Sequence, residues 1–239
     1  LWNDVVTVVD LGDEIAAFVS NIMQRDPLAF KEDLKSFQYV RVVSMLSNNM
    51  NNNAQLQHSR PINASYIPPS AFTKWKCSVP DTTLNDGSPI LVTSESSLDD
   101  VNERLKKNGK DEIEMNRFRP NLVIRGGAKS NMKPFEEDTW KAIQINNVIL
   151  YIVKGCPRCK QSCTNQETGE RYEEPLEILS TFRRMNKNGG DDVYFGQNVV
   201  FIGLVDGNQK GGNLIRVGDE VEVLTRGKAV WDMEEVQAE

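Results

Sequence analysis

The chain has 239 residues, 39% hydrophobic and 26% charged, which is long enough for one large or two ordinary domains with a real core. A net charge of −6 and an isoelectric point near 5.1 exclude nucleic acid as a bulk electrostatic partner, because phosphate binding needs a basic surface. The longest apolar runs are about six residues, against the roughly 20 of a membrane helix, so the sequence carries no transmembrane helix.

Asp4-Val5-Val6-Thr7-Val8-Val9 predicts a strand, and Asp13 opens a helix whose Ile15, Phe18, Val19 and Ile22 repeat at i, i+3, i+4 and i+7. Phe37 to Ser44 alternates as a second strand. Asn48-Asn49-Met50-Asn51-Asn52-Asn53 is a biased polar tract, read as a surface insertion. Residues 61–80 are rich in proline and serine, and the boundary falls there. The expected organisation is a partial N-terminal domain over 1–80 and a main domain over 81–239. The chain begins at Leu1 without a basic, apolar leader and reads as a fragment or processed product.

In the main domain Pro89 to Thr93 is strand-like, and Ser97 is expected to cap a helix carrying Leu98, Val101 and Leu105, with Asp100 completing the cap. Asn121 to Ile124 is a short strand. Phe135 to Trp140 is an acidic turn or short helix, followed by a long strand whose apolar run is Val148 to Val153. Pro175 starts a helix through Leu176, Leu179 and Phe182. Val199 to Ile202 and Leu214 to Leu224 supply late strands, with Val217-Gly218-Asp219 as the turn between the last two. Many short strands with few helices predict an α+β fold, a β-barrel flanked by helices.

Three of the four cysteines, Cys156, Cys159 and Cys163, fall within eight residues at the end of the Val148 to Val153 strand. A loop at a strand end is where a rigid scaffold presents a reactive group. Crowded cysteines do not resemble a disulfide framework, which favours a reducing compartment. Several readings stay open. With Cys77 and the one histidine, His58, the cluster allows a zinc or iron–sulfur site that stabilises a binding module. Cys156-x-x-Cys159 allows a redox dithiol, although such motifs usually open a helix. Packed, inert thiols suit Cys77 and Cys163. A single thiolate also serves as soft ligand to a metal held by a cofactor. Hydrolase triads are disfavoured, since the only histidine lies in the asparagine tract.

A cofactor would need anchors, and Arg117-Phe118-Arg119-Pro120-Asn121, Arg183-Arg184 and Phe195-Gly196-Gln197-Asn198 are suitable types. Each also has a plain reading. Arg117 is a solvated charge, Arg183 and Arg184 complement a helix C-terminus, and Gly196 makes a turn. Six separated segments then change the balance: Arg117 to Asn121, Glu137 to Trp140, Cys156 to Cys159 with Thr168-Gly169, Glu174-Pro175-Leu176, Phe195-Gly196-Gln197, and Val217-Gly218-Asp219. In this order they resemble MOSC domains, and among them the mitochondrial amidoxime-reducing component. Leu84 to Pro89 and Ser94 to Leu98 resemble that family's join between an N-terminal MOSC-associated α/β domain and the barrel.

The resemblance implies a molybdenum cofactor, a metal bound by a pterin dithiolene and one protein cysteine, which maps to Cys159 as metal ligand and catalytic residue. It implies Arg119 and Asn121 as cofactor-contacting residues, with Ser94 and Arg183 as further candidates. The implied reaction is a two-electron reduction of N-hydroxylated substrates such as amidoximes. Electrons would come from NADH through cytochrome b5 and its reductase, at the mitochondrial outer membrane. The C-terminal domain of molybdenum cofactor sulfurase resembles the Cys159 to Arg171 segment about equally well. That enzyme carries a pyridoxal-phosphate domain upstream and would hand over cofactor instead of reducing substrates. Two departures are expected to matter. Asn165 stands where the family usually has an aspartate, and the family's first strands, which add cofactor contacts, are not in this chain, so residues 1–239 alone are expected to bind cofactor weakly.

Overall fold

The computed structural model describes residues 9–10, 43–44, 60–62, 64–75, 81–82, 88–127, 131–185, 190–205 and 214–231. The chain divides into two compact units, Leu1–Arg60 with Asp81–Asn85, and Pro61–Pro80 with Asp86–Glu239. In the first, β1 (Val9–Asp10) runs antiparallel to β2 (Val43–Ser44), Val9 opposite Ser44. The helix expected from Asp13 and the asparagine tract lie outside the described residues. Two further short strands, β3 (Arg60–Pro61) and β4 (Asp81–Thr82), pair with each other.

The second unit is built on six strands: β5 (Ile90–Ser94), β6 (Leu122–Ile124), β7 (Trp140–Ile145), β8 (Val148–Pro157), β9 (Tyr194–Leu204) and β10 (Val221–Arg226). They form one curled, half-barrel sheet in the order β10-β7-β8-β9-β5-β6. Only β5 and β6 are parallel, and the helix between them makes the crossover that a parallel pair requires. Three α-helices flank the sheet, α1 (Pro69–Trp75), α2 (Glu95–Lys107) and α3 (Leu176–Ser180), so the fold is α+β.

Strand β8 explains where the core sits. Its residues from Val148 to Val153 are all buried, and strand periodicity sends them alternately to two faces. Ile149, Tyr151 and Val153 pack with Ile62, Ile67, Ala71, Val200 and Ile202. Val148, Leu150 and Ile152 pack with Val92, Ile124, Trp140, Ile143 and Val199. Each such side chain contributes about 1.5–3 kcal/mol of transfer free energy. The proline- and serine-rich stretch is thus more than a connector, because Ile62, Ile67 and Ala71 of 61–80 complete one face, and α1 begins on Pro69, tolerated in a first turn.

Three expectations need correction. Ser94, not Ser97, caps α2: it is the last extended residue of β5, and its hydroxyl accepts the Ser97 N–H at 3.2 Å. A single long strand was expected after the Phe135 to Trp140 turn, but Asn146-Asn147 divides that stretch into the β7–β8 hairpin, which begins at Trp140, with Asn146 at φ 53°. Leu214 to Arg216 forms no strand; among the described residues only β10 follows the Val217-Gly218-Asp219 turn.

Candidate functional site

Strand β8 runs through Cys156 and ends at Pro157, after which the Arg158 N–H donates to the Val193 carbonyl at 2.8 Å. Cys159 then begins a 3-10 turn, Lys160–Cys163, and its carbonyl accepts from the Ser162 N–H at 3.1 Å and the Ser162 hydroxyl at 2.9 Å. Both bonds fix the Cys159 backbone and leave its thiol exposed. The neighbouring cysteines sit in different settings. Cys156 is half-buried, and Arg158 Nη1 lies 3.0 Å from its sulfur. Cys163 is buried and donates to the Glu173 carbonyl at 3.2 Å. Among the described residues no group of three or more His, Cys, Asp or Glu side chains gathers to hold a metal. Cys77 and His58 lie outside the described residues.

The facing wall is the 3-10 turn Met115–Phe118. Arg117, read from sequence as a solvated charge, is buried: its Nε donates to the Ser162 carbonyl and its Nη2 to the Glu174 carbonyl, each at 2.9 Å. This stitches the wall to the cysteine turn. Phe118 stacks on Phe195 of β9 with centroids 3.8 Å apart. Arg119 follows in left-handed backbone, φ 54° and ψ 47°, a strain of order 1 kcal/mol that concentrates at functional sites. Its side chain is exposed, and its guanidinium has no partner among the described residues. Asn121 bonds Leu91 twice, donating its N–H to the Leu91 carbonyl at 2.9 Å and accepting the Leu91 N–H on Oδ1 at 2.8 Å. The amide oxygen therefore serves as a rung between β5 and β6, and Nδ2 remains for a ligand.

Ser94 and Arg183 are placed otherwise. Ser94 is fully buried, its hydroxyl occupied by the α2 cap and by Glu137 Oε2 at 3.0 Å. Arg183 is 3% exposed and forks onto Asp138, Nη1 to Oδ2 at 2.7 Å and Nη2 to Oδ1 at 3.1 Å. Its Nε donates to the Tyr194 carbonyl at 2.9 Å, and its guanidinium carbon lies 4.2 Å from the Phe135 ring centroid. Helix-dipole compensation is not its role. Gln197 Nε2 adds a third donor to Asp138, at 2.7 Å. Burial pushes the Asp138 carboxyl upward, opposed by Arg183 and Gln197, and burial raises Glu137 likewise. These side chains brace the site from behind. Gly196, read as a turn, lies inside β9 at φ 76°, where a Cβ would come within 2.8 Å of the Val92 carbonyl oxygen.

Among the described residues, Cys159 offers an exposed sulfur, and Arg119 and Asn121, both exposed, offer a guanidinium and an amide NH2 without side-chain partners; the Arg158 Nε is buried and also lacks an acceptor. That donor set suits an anion carrying a thiophilic metal. Sequence reasoning passed over Arg158 and misjudged Arg117. Arg158 lies just past the end of β8, and its acceptors, the Phe118 and Val193 carbonyls, are 40 and 35 residues away, so no local signal pointed to it.

Comparison with known proteins identifies the family of this chain. The MOSC domain family matches residues 80–222. The chain is 33% identical to mitochondrial amidoxime reducing component 2 of Bos taurus over 156 residues, 65% of this chain and 41% of that protein. It is 38% identical to the Rattus norvegicus protein of the same name over 138 residues, 57% of this chain and 37% of the relative. It is 29% identical to molybdenum cofactor sulfurase of Aspergillus terreus over 178 residues, 70% of this chain and 21% of that protein. The chain thus spans well under half the length of these relatives. A family match covering more than half of its residues, centred on the sheet and cysteine turn just described, shows that the chain belongs to the MOSC-domain family.

Proposed function

We propose that this chain binds a molybdenum cofactor and forms the reducing centre for N-hydroxylated substrates such as amidoximes. The observation that carries this reading is the exposed Cys159 thiol, on a turn whose preceding residue Arg158 is bonded to the carbonyl of Phe118, the residue before the exposed Arg119, which has no side-chain partner among the described residues. When bound, the cofactor supplies two-electron redox chemistry. Cys159 would hold the metal through its thiolate, its proton passing to the solvent that reaches the thiol. Arg119 would hold an anionic group of the cofactor, and Asn121 Nδ2 would be free to donate to it while its oxygen keeps β6 in register. Ser94 and Arg183 act behind these contacts. Electrons would come from NADH through cytochrome b5 and its reductase at the mitochondrial outer membrane, as the family resemblance implies; the relatives' names support only the mitochondrial setting and the amidoxime reduction.

A second reading is favoured by the sulfurase match, which covers 70% of this chain. On it, the same three residues bind cofactor that is handed on rather than used for reduction. The deciding experiment is metal analysis by mass spectrometry of the purified protein and Cys159→Ser, followed by a benzamidoxime assay with reduced cytochrome b5. Molybdenum near one per chain, which would refute the expected weak binding by residues 1–239, lost in the variant and accompanied by turnover, supports the reductase. Loaded protein without turnover supports the carrier. Zinc or iron in place of molybdenum would overturn both.

A further inference from the structure

Arg158 joins three segments that are distant in sequence. Its N–H donates to the Val193 carbonyl at 2.8 Å, its Nη2 to the Phe118 carbonyl at 2.7 Å, and its Nη1 reaches Cys156 Sγ at 3.0 Å. Phe118 immediately precedes Arg119, and Arg158 immediately precedes Cys159. One planar guanidinium therefore ties together the residues just before both proposed cofactor contacts. A guanidinium fork holds its acceptors at fixed relative positions, which a flexible ammonium does not. Both ends of this tie are themselves anchored. Phe118 is stacked on Phe195, and Arg158 is bonded through its backbone to the segment leading into β9. The Nε of Arg158 is buried without an acceptor among the described residues, so the side chain sits where its other two nitrogens dictate.

We propose that Arg158 is a positioning residue, which sets the separation between the Cys159 thiol and the Arg119 guanidinium and thereby the fit of an anionic cofactor between them. Its consequence rests on the molybdenum reading, whereas its geometry rests on Arg158's own bonds. Arg117 makes an independent attachment between the same two turns, through the Ser162 and Glu174 carbonyls. Loss of the Arg158 fork therefore leaves the turns joined but no longer in fixed register.

The test compares the full chain with Arg158→Lys and Arg158→Ala. Lysine keeps the charge and reaches one acceptor, not both. A purely electrostatic or packing role would be rescued by lysine; a positioning role would not. Three readouts are taken: thermal midpoint, molybdenum per chain with its Mo(V) paramagnetic resonance spectrum, and iodoacetamide alkylation of Cys159 in metal-free protein, mapped by mass spectrometry. For Arg158→Lys, we expect a midpoint within about 4 °C of wild type. Molybdenum occupancy should fall about tenfold, with an altered spectrum in the retained fraction. Cys159 alkylation should accelerate about threefold as its turn loosens, while buried Cys163 stays slow. Wild-type occupancy and spectrum in Arg158→Lys, or an unchanged alkylation rate, overturns the proposal. If wild type itself holds no molybdenum, the functional reading fails, and the alkylation rates alone decide the positioning role.

Discussion

Ser97 Oγ donates to Glu137 Oε1 at 2.6 Å, inside a triangle closed by Ser94, whose Oγ is 2.6 Å from Ser97 Oγ and 3.0 Å from Glu137 Oε2. Three oxygen-bearing groups make three contacts. With Glu137 ionised, both hydroxyls point at it and the serine pair shares no proton; with Glu137 protonated, each contact has one. Burial is the largest influence and raises the carboxyl above its ordinary range, opposed in part by the hydroxyls of Ser97 and Ser94 that donate to it.

The pH dependence follows from that direction. A carboxyl raised in the folded state contributes stability that is fully present below its unfolded value and lost as pH rises through the folded one. Urea denaturation at pH 5 and pH 8 should show wild type weaker at pH 8 through this group. Glu137→Gln imitates the neutral acid, so it should reduce that loss and match or exceed wild type at pH 8. Glu137→Ala leaves two buried hydroxyls short of a partner and should cost about 2 kcal/mol at pH 5 and less at pH 8, where wild type has itself lost stability through this group. An identical pH slope in Glu137→Gln and wild type would sink this account.

Arg183 and Asp138 form the second buried unit, and here the charge is needed. Asp138→Asn leaves the guanidinium buried between Phe135 and Trp231 without its counter-ion, for an expected cost of about 3–5 kcal/mol in denaturant unfolding. Arg183→Lys keeps the charge but loses the fork and the bond to the Tyr194 carbonyl, and should cost less. If Asp138→Asn unfolds at wild-type denaturant concentration, the pair contributes nothing net.

How far these features were readable depends on the range of the interaction. Strand β8 was legible because six consecutive apolar residues demand burial on both faces, and the Cys159 turn because the motif sits at that strand's end. The β7–β8 hairpin was missed because Asn146-Asn147 hides between two apolar runs, although asparagine tolerates the positive φ found there. Ser94 and Arg183 looked like ligand contacts. Their actual partners, Glu137 and Asp138, lie 43 and 45 residues away, so nothing local showed that their polar atoms were already engaged. Arg117 is the same case, since its acceptors are backbone carbonyls that only the folded loops bring within reach.

Two glycines set how closely the elements around the site approach. A Cβ on Gly155 would collide with the Trp231 ring, and one on Gly196 would lie 2.8 Å from both the Val92 oxygen and Thr93 Cγ2 in a backbone of φ 76°. At Gly155 an aromatic ring has to yield, whereas at Gly196 both the backbone conformation and a neighbouring strand resist. Gly196→Ala should therefore cost more than about 1 kcal/mol and exceed Gly155→Ala, as read by urea midpoints. The reverse order would mean that the β5–β9 contact is softer than its geometry implies.

The family resemblance implied an aspartate at the position of Asn165, and a lost carboxylate near the metal was the expectation. The Asn165 side chain instead folds onto its own loop: Oδ1 accepts the Glu167 N–H at 2.8 Å and the Thr168 N–H at 3.1 Å, while the Asn165 N–H donates to the Glu170 carbonyl at 2.8 Å. This is an Asx turn, which aspartate makes with the same oxygen and with charge added to the acceptor. Asn165→Asp should therefore keep the loop, leave stability within about 0.5 kcal/mol or raise it, and leave molybdenum occupancy unchanged. Asn165→Ala strands two N–H groups on a partly exposed loop and should lose about 1 kcal/mol. Differential scanning calorimetry with metal analysis of both variants separates the two roles. A large change in occupancy or turnover in Asn165→Asp, with the loop intact, would place the lost charge at the metal after all.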